Sequence, residues 1–379
     1  MKISFCIYNF VDEKLPLQPW LTIRILAEGL VKRGHHVSII TDVQNPSELN
    51  GVSLVTVASL RGTNSLEVQE VLKKINPDAL VFLPTPLSLA TTSWLNTIDC
   101  RKIGFASYPF YNFKELYIAI KKLAWSDVQQ YLRHILIPKM VWKAFSKRRV
   151  DVLISQSSTT TNRLQEILGN STKCLFIPPG IDKEAWPLVL NKKDLNKKSI
   201  NLLYLGSAIP IRGFDLALES LVFLIDEKVN LRILARAANE TTLKPMLDKV
   251  KKLGLQEHVE LVGGWIERNQ LVTEIHNADA VLQPFLLVPS ELPVTAMEVI
   301  SCGTPVIGSK IDGMPSTIGP AGTVTKHGCP KALAETIKEF LYSSSLRSDW
   351  SEGCLSQRAQ MQSWDSIIQQ WENVLENGS

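Results

Sequence analysis

Two carboxylates at the start of a short predicted helix form the pattern in this sequence that is best suited to chemistry. The helix is predicted over residues 294–302, because Pro293 precedes this apolar segment and Gly303 ends it. Glu291 lies just before the segment and Glu298 lies within it. The free N–H groups and the positive dipole at such a helix start favour a phosphate group. This stretch therefore predicts a site for an anionic ligand.

The same residues also admit a purely structural interpretation. Thr295 and Glu298 have the spacing of a capping box, in which the carboxylate satisfies the helix start and needs no ligand. Glu291 could be a solvated loop carboxylate. The neighbouring apolar runs 280–282 and 305–308 nevertheless make a strand–loop–helix–strand unit. In a doubly wound sheet, the loop of such a unit lies at the carboxyl end of the strands, where ligands bind.

Strands and helices alternate along the whole chain. Apolar runs at 52–57, 79–83 and 102–105 predict strands that are buried on both faces. This alternation predicts an α/β protein with parallel sheets covered by helices on both sides. A polar, charged run at 192–199 separates two such series, and 379 residues are enough for two domains.

The composition is that of a soluble globular protein and argues against several other classes. The chain start lacks the long apolar region of a signal peptide, and no run approaches the roughly 18 apolar residues of a membrane span. Six scattered cysteines without a Cys-x-x-Cys pair predict reduced thiols, with neither disulfides nor zinc. His35 and His36 would point to opposite sides of a strand, which argues against a metal site. We therefore expect a cytoplasmic protein without a bound metal.

Positive charge is concentrated in one segment. Residues 101–150 hold 11 Lys and Arg against 2 Asp and Glu, whereas the whole chain has a net charge of only +4. Aromatic residues accompany these charges in the helical stretch 112–149, which is typical of a helix on an anionic membrane surface. The alternative is a pair of core helices with solvated Lys and Arg side chains. A nucleic-acid partner is not predicted, because no nucleic-acid motif is present. The predicted membrane patch consists of Lys139, Lys143, Lys147, Arg148 and Arg149.

Five motifs, in this order along the chain, resemble those of the retaining GT4 family of glycosyltransferases. They span residues 147–157, 177–182, 203–214, 298–306 and 364–368. The resemblance implies the GT-B fold, an α/β architecture with two Rossmann-like, doubly wound parallel-sheet domains that face a cleft. It predicts an acceptor domain at 1–186 that includes the basic helices, a linker at 187–199, a donor domain at 200–358, and a helix at 359–379 that crosses back to the first domain.

The resemblance also implies a UDP- or GDP-linked sugar donor in the cleft, with no cofactor. Glu298 would accept hydrogen bonds from the ribose hydroxyls, and Glu291 would contact the sugar hydroxyls. Arg212 would neutralise the departing diphosphate, so Glu291 and Arg212 are the predicted catalytic residues. The predicted donor contacts are Ser207, Arg212, Gly213, Ile266, Ser290, Glu291, Val294, Thr295 and Glu298.

Three features depart from the family pattern. Six residues separate Glu291 from Glu298 where the family has seven, and Ser290 stands in the expected place. Ser207 replaces an arginine of the phosphate site. The loop at 9–19 has no glycine, although the family often places a glycine pair there.

Three functions are compatible with these observations to different degrees. The first is a retaining, metal-independent glycosyltransferase acting on a glycan or lipid-linked acceptor, peripheral on the inner face of a membrane. The second is a catalytically silent GT-B protein that serves as partner or scaffold of another glycosyltransferase. A dehydrogenase-like enzyme is disfavoured, because neither domain's first strand is followed by Gly-x-Gly-x-x-Gly.

Overall fold

The computed structural model describes residues 1–60, 66–84, 93–125, 128–129, 132, 139–189, 198–236, 239–288 and 291–377. The chain divides into two compact units. The first comprises Met1–Phe110, Arg133–Gly180 and Gln362–Ser379, and the second comprises Tyr111–Leu132 and Ile181–Met361.

The described strands and helices are numbered along the chain. The strands are β1 (Lys2–Cys6), β2 (His36–Thr41), β3 (Ser53–Thr56), β4 (Ala79–Phe82), β5 (Arg101–Ala106), β6 (Val152–Ser155), β7 (Lys173–Phe176), β8 (Ile200–Gly206), β9 (Val229–Arg236), β10 (Val259–Gly264), β11 (Ala280–Gln283), β12 (Val306–Ser309) and β13 (Gly322–Thr325). The α-helices are α1 (Trp20–Lys32), α2 (Leu66–Ile75), α3 (Phe113–Lys122), α4 (Lys139–Arg149), α5 (Ser158–Leu168), α6 (Phe214–Val222), α7 (Glu240–Lys252), α8 (Arg268–Asn277), α9 (Val294–Ser301), α10 (Met314–Ile318), α11 (Pro330–Tyr342), α12 (Ser344–Gln360) and α13 (Trp364–Asn377).

The first unit contains a parallel sheet in the order β3-β2-β1-β4-β5-β6-β7. Ile3 of the central strand β1 pairs with Val37 of β2 on one side and Ala79 of β4 on the other. Strand β4 is buried throughout, as its apolar run predicts, and β6 is buried throughout as well. The prediction is wrong for β3, whose end residues Ser53 and Thr56 are exposed, because β3 is an edge strand with one neighbour.

The second unit contains a parallel sheet in the order β10-β9-β8-β11-β12-β13. The chain builds outward from β8 to β10, then returns to the other side of β8 with β11. The strand order therefore reverses between β8 and β11, and the loops after these two strands flank the switch point where doubly wound sheets bind ligands. Strand β13 was missed by the sequence analysis, because four residues of the type Gly-Thr-Val-Thr lack a continuous apolar run.

The segment 111–132 belongs to the second unit, although the predicted acceptor domain included all of residues 112–149. The inner face of α3 explains this placement. Leu116 and Ala119 are buried in the same apolar cluster as Leu286 and Val288 of the second unit. Periodicity correctly indicated an apolar helix face, but it could not show which unit that face would join.

The C-terminal helix α13 packs within the first unit against α1 and the sheet. Trp371 is 1% exposed, and its ring meets that of Phe105 edge-on with centroids 5.4 Å apart. A Cβ at Gly29 of α1 would overlap the Ile368 side chain, so the glycine permits this close approach. Glu372 receives hydrogen bonds from Arg33 and pairs with His35, at 3.0 and 2.7 Å. Helix α13 is therefore held by apolar packing and by the contacts of Glu372 with Arg33 and His35, which we call the polar clamp.

Replacing Trp371 with alanine is expected to lower the free energy of unfolding by about 3–5 kcal/mol, because it removes a large, fully buried aromatic side chain. Thermal unfolding followed by circular dichroism measures the effect. Asn373→Ala is the matched control, since Asn373 lies on the exposed face of the same helix. Equal midpoints for the Trp371 and Asn373 variants would show that the helix contributes nothing to the stability of the first unit.

Candidate active site

The loops after β8 and β11 interlock at the switch point of the second sheet. The backbone N–H groups of Leu286 and Leu287 both donate to the carbonyl oxygen of Ile211, each at 2.9 Å. Gly213 has φ of +75°, and a Cβ at this position would overlap the carbonyl oxygen of Pro284. Only glycine fits this contact without strain. Gly213, one of the predicted donor contacts, therefore brings the two loops together.

Arg212 is held at the end of β8 by this arrangement. It ends the 3₁₀ turn Pro210–Arg212, and its carbonyl oxygen accepts a hydrogen bond from the Tyr204 hydroxyl at 3.3 Å. Its Nη1 atom lies against Gly206, where a Cβ would stand 2.6 Å away. The neighbouring Ser207 also uses its carbonyl oxygen to accept from Tyr204, at 3.3 Å. The turn therefore fixes a half-buried guanidinium at the carboxyl edge of the sheet.

The N-terminus of helix α9 lies at the same edge of the sheet. The helix begins at Val294, and its N-cap residue, Pro293, makes no side-chain capping hydrogen bond. The capping box that would have explained Thr295 and Glu298 structurally is thus not formed. Both Val294 and Thr295 are partly exposed, so the positive end of the helix dipole is open to an anion.

Glu298 lies one turn into α9 and carries an unusual carboxyl group. No described residue hydrogen-bonds its side chain, which is only partly exposed. Burial raises its pKa to about 7, although Arg236 and Arg268 act in the opposite direction. A carboxylate in this condition gains from any ligand that donates hydrogen bonds to it.

Glu291 stands in the loop before α9 and is 1% exposed. It is therefore not the solvated loop carboxylate of the structural interpretation. The predicted donor contact Ser290 lies outside the described residues. Glu291 and Arg212 thus sit on the two interlocked loops that flank the switch point.

The turn after β10 adds an aromatic surface to the same edge. Ile266, the predicted base contact, is half-buried and packs on the apolar core of the second unit. Trp265 is 63% exposed, and the Arg236 guanidinium lies 4.2 Å above its ring centroid. The sequence analysis missed Arg236 and Arg268. Arg236 is the last residue of β9 and Arg268 is the first residue of α8, which comes after β10, so inspection of every strand end at this edge would have found them.

Gln283, the last residue of β11, was also missed. It is 2% exposed, and neither its Oε1 nor its Nε2 atom has a hydrogen-bond partner among the described residues. A buried polar group without a partner costs about 1–3 kcal/mol. Such a residue at the switch point is suited to bind a polar ligand. Its signal in the sequence is a single amide at the end of an otherwise apolar strand.

A cavity of about 570 Å³ lies at the opposite, amino edge of the second sheet. Several polar groups of its lining contact one another. Arg232 forms ion pairs with Glu260 and, at 2.8 Å, with Glu274. The Asn230 amide donates to Asn201 at 3.2 Å. Arg232 and Asn230 thus already contact other protein side chains, and ligands of doubly wound sheets bind at the carboxyl edge, so we infer that the site lies at the switch point instead.

The first unit also has a polar carboxyl edge. Gln156, just after β6, donates to the Thr22 hydroxyl at 2.9 Å, and that hydroxyl donates to Gln18 at 2.8 Å. In the loop at 9–19, Asn9 adopts φ of +54° and donates its N–H to Asp42 at 2.7 Å. Asparagine tolerates this left-handed conformation better than most residues, so the loop can make its turn without glycine.

The predicted membrane patch is only partly a surface. Lys143 of α4 is exposed, but Arg149 is buried and therefore unavailable to a membrane. Trp142 of the same helix is 2% exposed and packs against Phe110, with ring centroids 5.3 Å apart. The side chains of Lys139, Lys147 and Arg148 lie outside the described residues. Within the described part of the chain, no helix is long and apolar enough to cross a bilayer.

One group of described side chains, His35, Glu372 and Glu376, has the proximity required to hold a metal ion. It lies at the amino end of β2. His35 and Glu372 are already paired at 2.7 Å, and Arg33 binds the other oxygen of Glu372. We therefore interpret the group as part of the polar clamp on α13.

Comparison with known proteins finds a family match within the second unit. Residues 187–354 match the family described as Glycosyl transferases group 1. A GDP-mannose-dependent monoacylated alpha-(1-6)-phosphatidylinositol monomannoside mannosyltransferase of Corynebacterium glutamicum is 22% identical over 244 residues, covering 60% of this chain and 62% of that protein. A GDP-mannose-dependent alpha-(1-6)-phosphatidylinositol monomannoside mannosyltransferase of Mycolicibacterium smegmatis is 24% identical over 204 residues, covering 50% and 53%. The similarity thus spans a little more than half the length of these relatives.

Among solved structures, Anabaena Alr3699/HepE in complex with UDP has the same fold. Its TM-score is 0.73, at 15% sequence identity over 99% of both chains. The two doubly wound parallel sheets described above are those of the GT-B architecture. The chain therefore has the GT-B fold, and its residues 187–354 are similar to the group 1 glycosyltransferases.

Proposed function

We propose that this protein is a retaining, metal-independent GT4 glycosyltransferase that transfers a sugar from a UDP- or GDP-linked donor to a lipid-linked glycan. The observation that carries the proposal is the convergence of three features at one switch point. These are the start of α9, where Pro293 makes no side-chain cap, the fixed guanidinium of Arg212 and the carboxyl group of Glu298. The curated relatives, which use GDP-mannose by name, support a nucleotide-sugar donor.

The donor's diphosphate would bind Arg212 and the N–H groups of Val294 and Thr295. Charge-assisted hydrogen bonds of this kind contribute about 1.5–3 kcal/mol each. Ser207 supplies no charge where the family has an arginine, but Arg236 and Arg268 bring two further cations to the same edge. We infer that these arginines supply the positive charge that the site needs, in place of a divalent ion.

The nucleoside would extend from the diphosphate toward the turn after β10. Its ribose hydroxyls would donate hydrogen bonds to Glu298, which has no such donor among the described residues. The base would lie against Ile266, and the exposed Trp265 offers an aromatic face nearby. Glu291 and Gln283 would hydrogen-bond the hydroxyls of the sugar.

In the transfer step, the acceptor hydroxyl attacks the anomeric carbon of the sugar. The bond from this carbon to the diphosphate oxygen breaks, and the hydroxyl proton passes to the departing diphosphate. Arg212 and the α9 dipole stabilise the charge that develops on the leaving group. Retention preserves the anomeric configuration, so an α-linked donor sugar gives an α-linkage, and the names of both relatives specify α-linkages.

We assign the acceptor to the first unit, whose polar carboxyl edge includes Gln18, Thr22 and Gln156. The relatives' named acceptors are phosphatidylinositol mannosides, which supports a lipid-linked acceptor. Such an acceptor would bring the protein to the inner face of a membrane from the cytoplasm. No nucleic-acid partner is proposed.

The second candidate function is a catalytically silent GT-B protein that acts as partner or scaffold of another transferase. The loss of the family arginine at Ser207 and the shortened spacing between Glu291 and Glu298 favour it. The two candidates differ in whether the second unit binds nucleotide sugars at all.

A thermal-shift screen against UDP, GDP, ADP and their sugar conjugates tests the proposal. One nucleotide series is expected to raise the midpoint selectively, and Arg212→Met is expected to weaken binding by about 10- to 100-fold, because it removes a charge-assisted bond to the diphosphate. Lys252→Met, which removes one charge from exposed helix α7, is the matched control. The absence of a shift with every nucleotide would establish the silent alternative.

Donor affinity should depend on pH through Glu298. The ribose hydroxyls donate to the ionised carboxylate, so affinity for the sugar nucleotide is expected to fall by up to about tenfold per pH unit below 7 and to level off above it. Because the pKa is raised from its ordinary 4.5, the free protein loses stability as the pH rises from 4.5 to about 7. Glu298→Gln should abolish both effects, and Glu335→Gln, on the exposed face of α11, should retain them. Calorimetric titration across this range measures the affinity.

Gln283→Leu is expected to have opposite effects on the stability of the free protein and on donor binding. Removing a buried amide without a partner is expected to raise the midpoint of the free protein by a few degrees, whereas the shift induced by the donor should shrink. The comparison variant is Leu282→Met in the same strand, which changes the core without changing a polar group. A lower midpoint for Gln283→Leu, with unchanged donor binding, would assign Gln283 to the fold alone.

A further inference from the structure

Helix α3 presents large apolar side chains to solvent. Phe113 is 75% exposed, Tyr117 49% and Ile120 42%. Their spacing of four and three residues places them on one face of the helix, which we call the outer face. The rings of Phe113 and Tyr117 stack with centroids 6.4 Å apart, and Trp125, 63% exposed, follows the helix.

Basic side chains border this apolar stripe. Lys114 and Lys121 are exposed, and the Lys121 ammonium lies 4.4 Å from the centre of the Tyr117 ring. The acidic residue of the helix, Glu115, is committed to the capping box, where it accepts from the N–H of Asn112 at 2.8 Å. The outer face is therefore apolar with a cationic border.

We propose that the outer face of α3 docks on an anionic lipid bilayer. Phe, Tyr and Trp side chains bordered by Lys suit the boundary between headgroups and acyl chains, where the rings become buried and the ammonium groups meet lipid phosphates. The concentration of 11 basic against 2 acidic residues in 101–150 supports a negatively charged partner. The proposal deepens the proposed function and rests on its lipid-linked acceptor.

The inner face connects this surface to the active-site loop. Leu116, Ala119 and Leu123 are buried in the cluster that contains Leu286 and Val288. Just before the helix, the Tyr111 hydroxyl donates to the Val288 carbonyl oxygen at 2.7 Å and accepts from its N–H at 2.6 Å. Val288 stands three residues before Glu291. The docking helix is thus attached to the loop that carries Glu291, and the donor-binding unit itself would be held at the bilayer.

Sedimentation of the full chain with vesicles tests the proposal. The vesicles are phosphatidylcholine with 30% phosphatidylglycerol, or phosphatidylcholine alone, and contain neither donor nor acceptor. One variant, Phe113→Ser with Tyr117→Ser and Ile120→Ser, removes the outer face, and a second, Lys114→Gln with Lys121→Gln, removes its cationic border. Leu66→Ser with Phe176→Ser is the control for exposed apolar area, since these first-unit residues are 71% and 47% exposed. Met140→Ser with Lys143→Gln tests α4.

The native chain is expected to bind the anionic vesicles, and the triple serine variant to bind at least tenfold more weakly. The lysine variant should lose the preference for phosphatidylglycerol, whereas the control and the α4 variant should bind as the native chain does. A preserved nucleotide-induced shift in the triple variant would show that its donor site is intact. Binding that fails in the native chain, or is lost only in the α4 variant, would overturn the proposal.

Self-association offers a further discriminating outcome. If light scattering shows a dimer that the triple variant converts to a monomer, and vesicles are not bound, the outer face is an interface between copies of this chain and the proposal is overturned. Because the vesicle assay uses no nucleotide, its failure would leave the transferase proposal standing. Conversely, vesicle binding without any nucleotide-induced shift would support the docking surface while refuting the transferase.

Discussion

The close approach of two loops at the switch point of the second sheet is the constraint on which the site depends. Gly213 lies against the Pro284 carbonyl, and the Ile211 carbonyl oxygen accepts from two successive N–H groups of the facing loop. These contacts place the Arg212 turn next to the segment that leads into α9. A side chain at residue 213 would force the loops apart and would separate the cation from the helix start. The geometry of the proposed diphosphate site therefore follows from a backbone contact.

Two polar side chains at this edge lack hydrogen-bond partners among the described residues, and a bound ligand could supply them. Glu298 lacks a hydrogen-bond donor among the described residues and has a pKa of about 7, and the buried amide of Gln283 has no partner there. At the amino edge of the same sheet, by contrast, Arg232 forms ion pairs with two glutamates. A protein tolerates such unsatisfied groups where function requires them, because they cost stability in the free state. The difference between the two edges indicates which of them is the site.

The sequence predicted the positions of most strands and helices, but it predicted less well which of them pack against each other. It predicted the helix that is observed at Val294–Ser301, and it located most strands, because these depend on local apolar runs and on Pro and Gly signals. It could not show that β3 is an edge strand, or that α3 joins the second unit, since those facts depend on contacts between distant segments. Trp142 illustrates the same limit: an aromatic residue in a basic helix suggested a membrane surface, yet it packs in the core. Gln283 was not predicted as a site residue, because a single amide in a sequence is inconspicuous until the structure shows that it is buried.

Amide hydrogen exchange with and without a saturating nucleotide sugar tests the central claim most directly. Residues 207–213 and the first turn of α9 are expected to become protected, because the ligand would engage Arg212 and the N–H groups of Val294 and Thr295. The start of strands β8 and β9, which line the cavity at the amino edge, should exchange as in the free protein. Protection confined to the amino edge, with no change at Arg212 and α9, would contradict the assignment of the donor site.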